Sequence, residues 1–123
     1  VNVNQITDSV IGAAIEVHRT LGPGLLESAY ETCLEYEMLR RGIPHERQKA
    51  IPIRYRGIAV ESAYRVDFLV GGLVIVELKA VERLDHIHTA QVLTYLRLSG
   101  CRIGLLINFN VPLLLNGIRR LIL

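Results

Sequence analysis

The chain has 123 residues, half of them hydrophobic and 21% charged, with 14 Lys and Arg against 12 Asp and Glu for a net charge of +2. That is enough for one core and too little for two, so a single domain over residues 1–123 is expected. Mean hydropathy is +0.32 and the charges fall at intervals, which excludes disorder and low complexity. No apolar run reaches the roughly 20 residues that a membrane-spanning helix needs, so no membrane role is expected.

Val1 to Gln5 is polar and leads straight into a patterned segment, without the n-region and h-region of a secretory signal. Cys33 and Cys101 stand far apart in apolar patterns and without metal-ligand spacing, as small buried thiols would. A reducing, cytoplasmic setting is the expectation. The mild basic surplus permits a polyanionic partner but lacks the dense stripe of a nucleic-acid wrapper.

Ile6, Val10, Ala14, Val17 and Leu21 recur at three and four residues, which predicts an amphipathic helix over residues 5 to 20, stopped by Gly22-Pro23-Gly24. A second helix is expected from near Leu25. It turns Leu26, Tyr30, Cys33, Leu34 and Met38 inward, sets Glu27, Glu31 and Glu35 on one row, and ends at Arg40, Arg41 and Gly42. From Glu46 to Lys79 the period changes to strands, punctuated at Pro52, Arg56-Gly57 and Gly71-Gly72, and predicts a three-stranded antiparallel meander. Its third strand, Leu73 to Lys79, is almost wholly apolar before Glu77 and should be central, covered on both faces. Asp85 should cap a third helix, roughly 86 to 99, closed by Gly100. Cys101 to Ile107 reads as a buried strand and Ile118 to Leu123 as a short last one. The order α, α, β, β, β, α, β, β implies an α/β sandwich with a mixed sheet.

Three ionisable groups interrupt these strands: Asp67, Glu77 and Lys79. Unpaired burial would cost each of them several kcal/mol, so they must neutralise one another or hold a cation. Glu77 and Lys79, two apart in a strand, point to the same face. If Asp67 joins them, two converging carboxylates make the oxygen-rich site that Mg²⁺ accepts. That convergence constrains the hairpin, because a plain two-residue turn at Gly71-Gly72 would put Asp67 on the opposite face. A three-residue loop over Val70-Gly71-Gly72 avoids this; it pairs Leu69 with Leu73 and Asp67 with Ile75, and requires a positive φ at Gly72.

These residues resemble the PD-(D/E)XK nuclease superfamily, and within it the small GxxExxY branch. Gly24-Leu25-Leu26-Glu27-Ser28-Ala29-Tyr30 matches the signature that names the branch, and Ala13 to Arg19 with Leu21-Gly22-Pro23-Gly24 is similar to the usual approach to it. Asp67 stands at the strand aspartate, Glu77-Leu78-Lys79 matches E-x-K, and Gln91-Val92-Leu93-Thr94-Tyr95 is similar to the Q-x-x-x-Y element of the following helix. The resemblance runs from about residue 5 to the C-terminus.

It implies a restriction endonuclease-like three-layer sandwich and a phosphodiesterase using Mg²⁺ or Mn²⁺ on DNA or RNA. Asp67 and Glu77 would be the metal ligands, with Glu27 joining directly or through water, and Lys79 would position or activate the attacking water. Gln91 and Tyr95, one helical turn apart, would bind a phosphate or fix Glu27 and Lys79; His88 shares their face in a minor role. Plainer readings exist for several residues. Tyr30 reads as a packing aromatic with a satisfied hydroxyl, His18 as a polar contact ending the first helix, and His45 and His86 as exposed. Glu77 and Lys79 could be a structural ion pair, and Arg54, Arg56 and Arg65 either a basic edge or scattered surface charge. Two other functions fit the sequence: a non-cleaving nucleic-acid or nucleotide-binding protein of the same fold, and a homodimeric interaction subunit built on the apolar segment Val111 to Leu123.

Overall fold

The structure, a computed structural model, describes residues 2–61 and 64–123. Helix α1 spans Val3–Leu21 and begins earlier than periodicity alone predicts. The cause is a capping box: Gln5 donates its backbone N–H to Asn2 Oδ1 at 2.9 Å, and Asn2 donates its own to Gln5 Oε1 at 3.0 Å. Helix α2 covers Glu27–Arg40, with Tyr30, Leu34 and Met38 fully buried and Cys33 half-buried. Leu26 does not turn inward. It holds the extended position before the first turn and is 78% exposed.

Strands β1 (His45–Ala50), β4 (Arg65–Val70) and β5 (Val74–Lys79) form the expected meander, but two further strands lie within it. β2 (Ile53–Tyr55) and β3 (Ile58–Val60) make a separate two-stranded hairpin between β1 and β4. The Arg56-Gly57 turn, with φ of 50° and 83°, is tight enough to fold three residues back on three. The observed order is therefore α, α, five strands, α, β, a 3₁₀ turn at Leu114–Gly117 and a last strand.

Helix α3 (His86–Ser99) follows β5, capped by Asp85 and closed by Gly100, as expected. It crosses to β6 (Ile103–Asn108), parallel to β5, and β7 (Ile118–Ile122) returns antiparallel at the edge. The main sheet has the order β1-β4-β5-β6-β7, is mixed, and places β5 at its centre. Val74 to Leu78 are all buried. One core cluster joins α1 and α2 to Phe68, Val70, Val74, Val76, Leu78, Leu105 and Ile107; a second joins Val92, Tyr95 and Leu96 of α3 to Ile75 and Leu106. Helices thus cover both faces, which is the three-layer, restriction endonuclease-like arrangement. Among the described residues no helix is long and apolar enough to cross a membrane.

The β4–β5 turn sets the register of the two strands. Gly71 and Gly72 both have positive φ, 60° and 70°, and Leu73 donates its N–H to the Val70 carbonyl, so the tight turn is Gly71-Gly72 and Leu73 is the extra residue. Val70 pairs with Val74 and Phe68 with Val76. The loop is odd in length, as expected, but lies one residue further on than Val70-Gly71-Gly72; Leu69 rather than Asp67 comes opposite Ile75, and the pairing ends at Phe68–Val76. The alternation then shifts at Asp67, because Val66 packs with Ile75 on the α3 side while Phe68 and Val70 pack with Val74 and Val76 on the other.

Candidate active site

The β4–β5 ladder stops at the Phe68–Val76 pair, and the two carboxylates take over where it ends. Leu78 donates its N–H to Asp67 Oδ2 at 2.8 Å, and Asp67 donates its own to Glu77 Oε1 at 3.4 Å. Each acid thus accepts a backbone donor that the ladder no longer pairs. Glu77 is buried and Asp67 half-buried. Lys79, the next residue of the same strand parity, is half-buried at the end of β5. Among the described residues the ion pairs include none of Asp67, Glu77 and Lys79.

Burial, then the charge of Asp67, pushes Glu77 up to about 9. Burial also raises Asp67, against the Leu78 N–H that favours its charged form. Each carboxylate disfavours ionisation of the other, so the two acids titrate as a coupled pair. Two oxygen-rich side chains withdrawn from water, with no cationic side chain among the described residues paired to either, fit a hard divalent cation.

The GxxExxY segment positions Glu27. Gly24 has a φ of 100°, which favours glycine, and the Tyr30 hydroxyl locks the loop by donating to the Gly22 carbonyl at 2.7 Å and accepting the Leu25 N–H at 3.1 Å. The Tyr30 ring stacks on Phe109 with centroids 4.5 Å apart. Tyr30 is therefore a packing aromatic with its hydroxyl satisfied. Glu27 follows in the first turn of α2, exposed, and its Oε1 accepts the Ala80 N–H at 3.3 Å, one residue past Lys79. Among the described residues no group of three or more His, Cys, Asp or Glu side chains gathers as a metal site. Asp67 and Glu77 meet, while Glu27 stands against the chain that leaves β5.

Helix α3 closes the other side. Tyr95 is buried, its ring stacked on Tyr64 at 3.8 Å, and Tyr64 donates its hydroxyl to Glu77 Oε1 at 3.0 Å. Burial is the main cause that raises both phenols, and the neighbouring acid charge adds to it, so both remain protonated donors. Tyr95 thus reaches Glu77 through Tyr64. Gln91 lies one turn earlier on α3, half-buried. His88 serves the helix cap instead, where its Nδ1 accepts the Asp85 N–H at 3.0 Å.

Three residues of the site escape a reading of the sequence. Tyr64 precedes Asp67 by three residues, and only its aromaticity beside an acid hints at a partner. Gln48 lies opposite Asp67 across the β1–β4 pair, and its Nε2 donates to Asp67 Oδ1 and to both Glu31 oxygens, each at 3.1 Å. Its φ of 53° is rare for a residue other than glycine and is held inside a strand. Glu31, visible only as one of the Glu27–Glu31–Glu35 row, is the helix acid linked to Asp67, and its charge helps raise that carboxyl. His45, expected at the surface, is half-buried with its imidazole enclosed, Nε2 lying 2.9 Å from Glu35 Oε2 and the ring edge-on to Phe68. His18, at the end of α1, contacts the Val111 carbonyl at 2.7 Å, the polar role expected of it.

The family model of the PD-(D/E)XK nuclease superfamily matches residues 4–121. No curated protein and no solved structure matches the chain. The matched span contains both carboxylates, the lysine beyond them, and all three layers around the sheet. The chain belongs to the PD-(D/E)XK nuclease superfamily.

Proposed function

We propose that this chain hydrolyses phosphodiester bonds of DNA or RNA with Mg²⁺ or Mn²⁺ held by Asp67 and Glu77, and that it belongs to the GxxExxY branch of its superfamily. The observation that carries the reading is the meeting of two desolvated carboxylates where β4 and β5 part, with Lys79 next on the same strand face. Bound there, a divalent cation would offset charge on the phosphoryl oxygens and make a bound water more acidic.

The rest falls to the chain's own side chains. Lys79 carries the ammonium that orients the attacking water and answers charge developing on the phosphoryl group. Glu27 extends the acidic wall and, through the Ala80 N–H, holds the chain just past Lys79 in place. Tyr95 and Tyr64 fix the Glu77 oxygen by a stacked, hydrogen-bonded pair. Gln91, one turn from Tyr95 and half-buried, donates to a phosphate oxygen in this reading. Free, half-buried Cys33 and Cys101 suit the reducing cytoplasm in which we place the protein.

The test is a screen of single- and double-stranded DNA and RNA with and without Mg²⁺ or Mn²⁺, beside Glu77→Ala. Metal-dependent cutting that Glu77→Ala abolishes is expected. Binding without cutting by a metal-loaded wild type would give the non-cleaving reading instead. A homodimer also has support, because Leu113, Leu115, Ile122 and Leu123 are exposed at and beside the edge strand β7; a monomeric mass in solution would remove it.

A further inference from the structure

The chain's positive charge is not evenly spread. Residues 47–65 contain Arg47, Lys49, Arg54, Arg56 and Arg65 against the single acid Glu61, a net of +4, so the remainder of the +2 chain is −2. Arg47 is taken up by Glu31 and Glu35, and Lys49 by Glu46. Arg54 and Arg56 lie on the β2–β3 hairpin, and Arg65 lies at its root.

Past half-buried Ile53, that hairpin is exposed from Arg54 to Glu61 on both faces. Tyr55 is 63% and Ile58 65% exposed. A two-stranded ribbon with no covered face is marginal by itself. Its local ties are arginine contacts: Arg54 Nη1 donates to the Gly57 carbonyl at 3.2 Å, and Arg56 lies over the Tyr55 ring at 5.7 Å and donates from Nε to its hydroxyl. The root is tied to the acid pair. Ile51 donates its N–H to the Tyr64 carbonyl, and the Tyr64 hydroxyl is on Glu77; Arg65 Nη1 donates to the Gln48 carbonyl, and the Gln48 amide is on Asp67.

We propose that the β2–β3 hairpin is a nucleic-acid-gripping arm beside the acid pair, with Arg54 and Arg56 on phosphates and Tyr55 as a stacking surface for a base. Guanidinium groups supply the sequence-independent part of such binding, and an exposed aromatic accepts any base face. A two-stranded ribbon also fits a duplex major groove, so the arm suits either strandedness. The inference rests on the nuclease reading for its substrate class, and its test separates the two.

The full chain, Arg54→Ala/Arg56→Ala and Tyr55→Ala are compared for binding to labelled single- and double-stranded DNA and RNA, by fluorescence anisotropy in EDTA across a salt series. Loss of both arginines should weaken binding about tenfold or more and reduce the slope of log affinity against log salt by about 1.8 on duplex DNA and about 1.4 on single strands. Tyr55→Ala should weaken single-strand binding several-fold with the slope unchanged. Mn²⁺ affinity at the acid pair, by calorimetry, and thermal midpoint should match wild type in both variants. Equal affinity and slope in wild type and double variant, or no nucleic-acid binding by wild type, overturns the arm. Heparin and polyglutamate displacing nucleic acid equally well, with Tyr55→Ala silent, also overturns it in favour of a general polyanion surface. A wild type that binds through the arm but cuts nothing sinks the catalytic reading alone; one that cuts while the arm variants bind normally sinks the arm alone.

Discussion

The two faces of the central sheet solve opposite problems. Toward α1 and α2, Tyr30, Leu34, Met38, Phe68 and Phe109 are buried to completion, and the charges there are held in ion pairs such as Arg47 with Glu31 at 2.6 Å and Arg41 with Glu37 at 2.9 Å. Toward α3 the apolar cluster is smaller and shares its space with Glu77, Tyr64 and Tyr95, beside half-buried Asp67. One face gains from removing carbon from water; the other keeps carboxylates where their charge is costly. The same strand serves both, since Val74, Val76 and Leu78 point one way and Ile75 and Glu77 the other.

If the faces divide this way, substitutions should separate stability from activity. Phe109→Ala should cost about 3–5 kcal/mol in denaturant unfolding, since it removes a fully buried ring stacked on Tyr30, with Mn²⁺ affinity of the folded fraction kept. Lys79→Met should do the reverse, lowering kcat about 10²–10³-fold at an unchanged thermal midpoint. A midpoint that falls with kcat would make Lys79 structural and blur the division.

The pH dependence of stability sharpens the comparison. Glu77 is pushed up to about 9 from an ordinary 4.5, so its contribution is full below 4.5 and is lost as pH rises through about 9. In EDTA, thermal midpoints should fall across that window. Glu77→Gln should flatten the curve and raise the midpoint by a few degrees at its alkaline end; parallel curves for the two proteins would refute the desolvation account. Smaller again is Gln48→Ala, which should weaken Mn²⁺ binding about tenfold by freeing Asp67. At the bottom lies Asp85→Ala, about 1 kcal/mol of helix capping.

Much of this is legible in the chain itself, for reasons that differ by element. Asp85 and Gly100 frame α3 because capping chemistry is local, and β5 reads as central because a strand apolar on both faces has nowhere else to go. The odd length of the β4–β5 loop is legible too, although the register moves by one because two consecutive glycines both take positive φ; the shift of alternation at Asp67, with Val66 toward α3 and Phe68 toward α1 and α2, has no counterpart in the pattern. The β2–β3 hairpin eludes pattern, since three-residue strands carry too few residues for a period. Gln48 and the burial of His45 depend on which side chains meet across 17 and 10 residues of chain, and no spacing encodes that.

The left-handed backbone at Gln48 also bears on how this chain should be engineered. A residue other than glycine held there costs about 1–3 kcal/mol of strain, so a search guided by stability alone would turn first to glycine at position 48. The exchange would relax the strand and at once cut the amide bridge between Glu31 and Asp67. Libraries built for thermal robustness should hold this position fixed and seek their gains on the α1–α2 side of the sheet.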